Sequence, residues 1–299
     1  MVRTGSKAIV ILTALSVEYR AVARYLRDLE RIDHPTGLIF ERGELPGTPW
    51  QIYVAEAGEG NHAAATLTER AINWVSPRAV FFTGIAGGRK KDLALGDVIV
   101  ATQVWAYQGG RQEADGLKAR PRSWETTFEL QQVARYVDRG AWTERISPPP
   151  NPLPRIHLKP ILAGEIVLDS AGSELDEYLD LHYNGAAAIE TEGAGFASAA
   201  HLAGGVPFMV VRGISDRADG TKSDSDAAGG QEAAARHAAA TTMAVIAALP
   251  APDEKVRPER GLNGTDGQQQ INRADGTGVI YAVQNGSQTI NHGQQAGDR

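Results

Sequence analysis

Four acidic side chains in this chain come directly after, or at the end of, apolar runs that are typical of buried strands. In chain order they are Glu18 after KAIVILTAL, Glu190 and Glu192 in AAAIETEGAG, and Asp216 at the end of VPFMVVRGISD. Carboxyl groups accept hydrogen bonds from hydroxyl groups and exchange protons with bound ligands. Because ligands of open α/β sheets bind beyond the carboxyl ends of strands, we expect these acids to surround one site for a neutral or sugar-bearing ligand.

A glycine-rich segment, FTGIAGG at residues 82–88, ends another apolar run. Its small residues let the backbone approach a planar or sugar group closely. The elements that must position these groups follow from the hydrophobic pattern, which alternates strands with helices and predicts a layered α/β fold. Strands are predicted at 7–15, 37–45, 50–58, 78–88, 96–107, 161–168 and 206–216, and helices at 16–29, 61–75, 173–182 and 227–249.

The amino-acid composition argues against several classes of function. The net charge of −6 predicts no basic face, so nucleic acid is not an expected partner. The chain has no cysteine, which excludes disulfides, thiolate metal sites and cysteine nucleophiles, and its seven histidines lack metal-ligand spacing. The apolar run near the N-terminus is too short for a membrane span, and a first strand explains it better than a signal peptide. We therefore expect a cytoplasmic protein with no metal and no membrane partner.

One glycine motif resembles a dinucleotide-binding fingerprint but lacks the acidic residue that belongs to it. AEAGEGNHAAA matches the dinucleotide fingerprint G-x-G-x-x-A through Gly58, Gly60 and Ala63. That fingerprint requires an acidic residue at the end of the next strand, and the next strand here ends in FFTGIAGG. The sequence therefore predicts no dinucleotide cofactor. It predicts a tight turn into a helix, whose amides are free to hold an anion or a substrate oxygen.

Four motifs in order, FTGIAGG, GDVIVA, AAIETEGAGFA and VPFMVVRGISDRAD, resemble the nucleoside phosphorylase/nucleosidase superfamily. The resemblance covers about residues 7–248 and is strongest to the methylthioadenosine/adenosylhomocysteine nucleosidase branch. It implies a three-layer α/β/α fold around a central mixed, partly closed sheet, and a homo-oligomer of two or more copies. It also implies hydrolysis of the N-glycosidic bond of a purine nucleoside or nucleotide, with no cofactor.

The resemblance assigns a role to each matching residue. Asp216 corresponds to the general acid that protonates the purine at N7, Glu18 to the base that activates water, and Glu192 to the carboxylate that holds the ribose hydroxyls. Ser215 and Arg212 would support Asp216 and Glu192. The remaining positions would line the base and sugar: Ile85, Ala86, Gly87, Val167, Leu168, Glu190 and Thr191.

Several alternatives stay open. Ile85, Val167 and Thr191 depart from the nucleosidase branch, so these three positions do not by themselves indicate adenine as the base. Other stretches look like the nucleosidase-like domains of bacterial defence proteins, some of which hydrolyse ATP. In that case a cation set of Arg89, Lys90, Lys91 and Arg120 could meet a polyphosphate, although solvated surface charges explain it equally. A phosphate-dependent phosphorylase and a non-catalytic nucleoside-sensing scaffold are the other hypotheses. A separate alternative is that the acids merely pair with Arg212, Arg217 and Lys222.

The composition changes at Pro250. Residues 1–249 are expected to form the enzyme-like domain, and residues 250–299 a linker and a disordered tail rich in Gly, Gln and Asn. Within the tail, the segment at 277–293 contains VIYAVQNGSQTIN, which resembles the amyloid-type signalling motifs of immune effectors. Its β-branched and amide pattern favours in-register stacking. A sensor protein with a matching segment is therefore an expected partner.

Overall fold

The computed structural model describes residues 6–114 and 116–251. The predicted tail, with its signalling segment at 277–293, lies outside the described residues. The strands are β1 Ala8–Thr13, β2 Arg27–Asp33, β3 Ile39–Glu44, β4 Gln51–Glu56, β5 Ala79–Gly88, β6 Val98–Ala106, β7 Gly110–Glu113, β8 Gly116–Ala119, β9 Arg122–Glu125, β10 Ile156–Ala163, β11 Ala188–Glu190 and β12 Phe208–Asp216. The helices are α1 Ser16–Ala23, α2 Asn61–Val75, α3 Phe128–Asp138, α4 Glu174–His182, α5 Gly193–Leu202, α6 Lys222–Ala227 and α7 Gly230–Ala247, with a short 3-10 helix at Trp142–Arg145.

Ten strands form the central sheet in the order β11-β10-β6-β12-β5-β1-β4-β3-β2, with β9 paired to β6. The sheet is mixed: β12 runs parallel to β5 and antiparallel to β6. The short strand β11 pairs with β10 on one side and with the end of β5 on the other. This second pairing closes the ring β5-β12-β6-β10-β11, so the predicted mixed and partly closed sheet is confirmed.

Helices cover both faces of the sheet, as the alternation of side chains in the strands requires. In β1, Ile9 and Ile11 pack in one core with α1, α3 and α7, whereas Val10 and Leu12 pack in the other with α2 and α5. The inner strands are apolar on both faces because both faces are covered. The predicted three-layer α/β/α architecture is therefore confirmed.

Two predicted elements have the wrong bounds. The helix predicted at 16–29 ends at Ala23, and β2 begins at Arg27 and pairs antiparallel with β3. The helical spacing of apolar residues continues in the sequence past Ala23. Strand pairing at the edge of the sheet nevertheless determines the structure there. Within β2, Asp28 has a left-handed backbone conformation with φ 54°. The strand predicted at 161–168 lies instead at Ile156–Ala163, so residues 166–168 are free to form part of a loop.

The segment between β6 and β10 holds elements that the sequence pattern did not predict: a β7–β8 hairpin, β9 and α3. Their short strands are mostly exposed and lack a strong alternation. In the portion of the chain that is described, no helix is both long and apolar enough to cross a membrane.

Gly213 lets α7 pack directly on β12, the strand that ends in Asp216. A Cβ atom at Gly213 would lie 2.1 Å from the carbonyl oxygen of Ala234, which is backbone and cannot rotate away. We expect Gly213→Ala to lower the free energy of unfolding by about 1–3 kcal/mol or more through overpacking. Urea unfolding measures this loss. Gly140→Ala is the control, because the added Cβ would lie 3.4 Å from its nearest neighbour, and equal stability of the two variants would contradict the packing argument.

Candidate active site

The four acids singled out in the sequence lie around one cavity of about 160 Å³ at the carboxyl ends of the strands. Glu18 lies in the first turn of α1, just after β1, and Asp216 is the last residue of β12. Glu190 ends β11, and Glu192 immediately precedes α5. The pairing of β11 with the end of β5 brings this last pair beside the glycine-rich end of β5.

A single buried guanidinium lies beneath this cavity. Arg212 of β12 is fully buried, and its Nη2 donates to Glu190 and, at 3.0 Å, to Glu192. Its Nη1 lies 3.8 Å from Oε1 of Glu18. The guanidinium carbon stands 4.7 Å from the ring centroid of Phe82, a cation–π contact. Arg212 therefore joins three carboxylates from three different elements.

Gly84 is the position on β5 that makes room for this cluster. A Cβ atom there would lie 2.2 Å from Nη1 of Arg212 and 2.3 Å from Oε1 of Glu18. Any side chain would therefore push the guanidinium and the carboxylate out of their places. Gly84 of FTGIAGG is therefore required because charged side chains of the protein itself lie against the strand there. The sequence had suggested that a ligand makes this close contact.

Backbone amides fix the orientation of Glu18. Its Oε2 accepts hydrogen bonds from Ala14 N at 2.7 Å and Leu15 N at 3.0 Å, and its Oε1 accepts one from Ile85 N at 2.8 Å. Burial raises the pKa of Glu18, because desolvation disfavours the charged form, while Arg212 and these amides oppose that rise. The result is a fixed carboxyl group with increased basicity, facing the cavity.

Glu190 and Glu192 are held by the starts of two helices. Glu190 accepts from Gly193 N at 2.9 Å and Glu192 N at 3.2 Å, and Glu192 accepts from Gly60 N at 3.0 Å. The amide of the GEGN turn therefore binds the protein's own carboxylate, where the sequence suggested an anion or a substrate oxygen. Burial raises the pKa of Glu190 to about 7, with Glu192 adding to the rise and Arg212 opposing it.

Asp216 has a separate set of partners. Ser215 Oγ donates to its Oδ2 at 2.7 Å, Ala218 N donates to its Oδ1 at 2.9 Å, and Lys222 Nζ lies 3.4 Å from Oδ2. The structure therefore places Ser215 on Asp216 and Arg212 on Glu192. Within the described residues the ion pairs of Arg212 are with the three glutamates, because its side chain points from β12 towards β11 and α1.

The structure places every other predicted lining residue on the cavity wall. Five of them come from two segments, Ile85, Ala86 and Gly87 of β5 and Val167 and Leu168 of the loop after β10, and Thr191 lies between the two glutamates. Residues that the sequence reasoning missed also line it: Ala14, Leu15, Glu59, Ile166, Ile189, Lys222 and Gln231. Of these, Ile166 and Ile189 adjoin a predicted lining residue, so extending those motifs by one position would have found them. Ala14 and Leu15 precede Glu18 by four and three positions, and Glu59, Lys222 and Gln231 lie farther from any predicted site residue.

The cation set is not directed at the cavity. Arg89 is nearly buried and forms ion pairs of 2.7 Å with Asp176 and with Asp180 of α4. Lys90 donates to the carbonyl oxygen of Asn184. The residues that line the cavity include neither of these, nor Lys91 or Arg120. Throughout the described ranges, no group of three or more His, Asp or Glu side chains is arranged to hold a metal ion.

Comparison with known proteins agrees with this geometry. Residues 8–249 match the phosphorylase superfamily. The 5′-methylthioadenosine/S-adenosylhomocysteine nucleosidase of Actinobacillus succinogenes is 30% identical over 217 residues, which is 70% of this chain and 86% of that protein. The futalosine hydrolase of Helicobacter pylori is 28% identical with a TM-score of 0.68, covering 81% of this chain and 98% of that one.

A third relative was solved as an aspartate-to-asparagine variant with 5′-methylthioadenosine in its active site. This is the H. pylori methylthioadenosine nucleosidase, 26% identical with a TM-score of 0.69, covering 82% of this chain and all of that one. The match over residues 8–249 spans most of the chain and includes every acid of the cavity. The chain therefore belongs to the phosphorylase superfamily, and its relatives named here are hydrolases of nucleosides.

Proposed function

We propose that this protein hydrolyses the N-glycosidic bond of a purine nucleoside or nucleotide and releases the free base. The observation that carries the proposal is the shared cavity of Glu18, Glu192 and Asp216, three buried carboxyl groups on separate elements. Cleavage of an N-riboside develops positive charge on the sugar and negative charge on the base, as in glycoside hydrolysis by paired carboxyl groups. Such a reaction needs one carboxyl group as acid and another as base.

Asp216 is the proposed general acid. The bond between C1′ and the purine breaks with both electrons going to the base, and Asp216 gives its proton to N7 of that base. Ser215 and Ala218 hold one carboxyl oxygen each, so the group is oriented before the substrate arrives. A positioned acid of this kind contributes about 10²- to 10⁴-fold in rate.

Glu18 is the proposed general base. It takes a proton from water as the water oxygen forms its bond to C1′. The raised pKa of Glu18, caused by burial, makes this carboxylate a better proton acceptor than a solvated glutamate. Its three amide donors keep it in one orientation at the cavity wall.

Glu192 is the proposed ribose ligand. Its carboxylate is held by Arg212, by Gly60 N and by the hydroxyl group of Thr191. Carboxylates accept hydrogen bonds from two hydroxyl groups at once, which suits the 2′- and 3′-hydroxyls of a riboside. Residues of β5 and of the loop after β10 would then enclose the base and sugar.

The cavity favours water over phosphate as the nucleophile. The carboxyl groups that line it are Glu18, Glu59, Glu190, Glu192 and Asp216, and Lys222 is the only lysine or arginine among the described lining residues. A phosphate dianion would be repelled by such a surface. This disfavours the phosphorylase alternative.

The finer substrate assignment rests on likeness. Relatives named for methylthioadenosine support adenine as the base. A role as a defence effector, with ATP as substrate, is supported by the sequence resemblance to defence-associated domains. We propose that residues 1–249 are the catalytic domain of such an effector, that it acts as a homo-oligomer, and that residues 277–293 recruit it to a sensor protein.

Asp216→Asn tests the proposed chemistry. We expect base release from a panel of purine nucleosides and nucleotides, including ATP, to fall at least about 10²-fold, because only the proton donor is lost. Chromatography of released base measures the rate, and calorimetry shows that nucleoside binding persists. Asp92→Asn makes the same change at an exposed site away from the cavity and serves as the control. Unchanged turnover in Asp216→Asn would refute the proposed acid.

Glu190 gives the folded protein a characteristic pH dependence. Its pKa of about 7 exceeds the usual 4.5, so the folded state holds a proton between these values that the unfolded state has released. Stability from this group is therefore present below pH 4.5 and is lost as the pH rises towards 7, with a limiting slope of about 1.4 kcal/mol per pH unit.

We expect Glu190→Gln, which mimics the protonated form, to flatten this slope in urea unfolding measured from pH 5 to pH 8. Glu165→Gln, at an exposed glutamate, is the matched control and should leave the slope as in the unaltered protein. Parallel profiles for the unaltered protein and Glu190→Gln would show that Glu190 ionises normally in the folded state.

The proposed recruiting segment is tested as a peptide of residues 277–293. We expect it to form thioflavin-positive fibrils, because alternating β-branched residues and amide side chains stack in register. A peptide of the same composition in scrambled order is the control. A peptide that stays monomeric at high concentration would refute the recruiting role and leave the catalytic proposal untouched.

A further inference from the structure

Lys222 has no part in the mechanism above, yet it lies beside the proposed acid. It is the first residue of α6 and lines the cavity, with 29% of its side chain exposed. Its Nζ lies 3.4 Å from Oδ2 of Asp216 and 3.7 Å from Oδ2 of Asp226. These two carboxylates hold the ammonium group at the point where the base must receive its proton.

The ammonium group of Lys222 has one more N–H donor than its two carboxylate neighbours use. An ammonium group has three donors and no acceptor. Asp216 and Asp226 face it from β12 and from its own helix, so one N–H remains for a ligand in the cavity. Asp216 in turn already accepts from Ser215 and Ala218 in addition to Lys222.

Purines differ in what they present next to N7. The 6-oxopurines carry an acceptor oxygen at position 6, beside the N7 acceptor, whereas adenine carries an amino donor there. A ligand whose N7 meets Asp216 has its position 6 substituent adjacent to the same carboxyl group. A lysine can bond the oxygen and has nothing to offer the amino group.

We propose that Lys222 is a specificity-determining residue that donates a hydrogen bond to the exocyclic oxygen of 6-oxopurines. The cavity then accepts hypoxanthine-type bases in addition to adenine. This rests on the proposed function, because it takes the placement of N7 at Asp216 from there. Without the lysine, an oxygen at position 6 faces Asp216 with no donor, whereas adenine loses no contact.

The test compares inosine and adenosine as substrates of the unaltered protein, Lys222→Met and Lys222→Arg. We expect the unaltered protein to release base from both. Lys222→Met should lower the ratio of kcat/KM for inosine to kcat/KM for adenosine about 10- to 100-fold, the value of a hydrogen bond to a charged group, whatever change both substrates share through Asp216. Lys222→Arg keeps the donors and should retain most of the inosine activity. Lys91→Met, at an exposed lysine outside the cavity, is the control.

Binding of free hypoxanthine and free adenine, measured by calorimetry, separates the two proposals because it needs no turnover. Loss of hypoxanthine binding alone in Lys222→Met supports the role of Lys222, even in a protein that releases no base and so fails the proposed function. Equal loss for both bases, or no loss for either, overturns it. Equal loss of inosine and adenosine activity also overturns it, because the lysine would then act only through Asp216.

Discussion

The site depends on one buried ion cluster, in which the guanidinium of Arg212 is shared by Glu18, Glu190 and Glu192. One positive charge cannot neutralise three carboxylates, and unpaired buried charge is costly. The excess negative charge of the carboxylates is stabilised in two ways. Amide groups at the starts of α1, α2 and α5 donate to the carboxylates, and burial raises the pKa of Glu190 to about 7, so that a proton replaces the missing cation at neutral or lower pH. Glu18 and Glu192 are thereby left oriented and available for chemistry, whereas Asp216, outside the cluster, has its own hydrogen bonds.

This cluster explains features of the fold that lie at a distance in sequence. The strand β11 has three residues, and its pairing with β5 carries Glu190 and Glu192 to the side of Arg212. Gly84 lacks the side chain that would displace the guanidinium, and Gly193 lacks one that would lie 2.7 Å from the carboxylate of Glu190. Closure of the sheet, small residues at its closing edge and the charge cluster therefore depend on one another.

The sequence predicted the layered fold and most of the cavity because both follow from local patterns. Apolar runs that end in acids marked the strands and their ligand-facing ends, and the order of four motifs added the family. The resemblance also named Glu192 as a residue that Arg212 supports. It did not indicate that Arg212 also pairs with Glu18 and Glu190, because those contacts depend on the pairing of β11 with β5 and on the position of α1, which no local pattern specifies. The predicted end of the first helix was wrong for a similar reason. The helix ends at Ala23 because the chain then forms β2, which pairs with β3. Lys222 lies on a six-residue helix with no apolar periodicity, so only its position in space shows that it faces the cavity.

The central claim is that water, activated at Glu18, attacks the sugar carbon as the base departs. The most direct measurement is base release in ¹⁸O-labelled water with inorganic phosphate present, followed by mass spectrometry of the sugar product. The account predicts a sugar product that carries one ¹⁸O atom in its hydroxyl group at C1′, and no sugar 1-phosphate. Formation of a sugar 1-phosphate, or the absence of any base release across purine nucleosides and nucleotides, would contradict it.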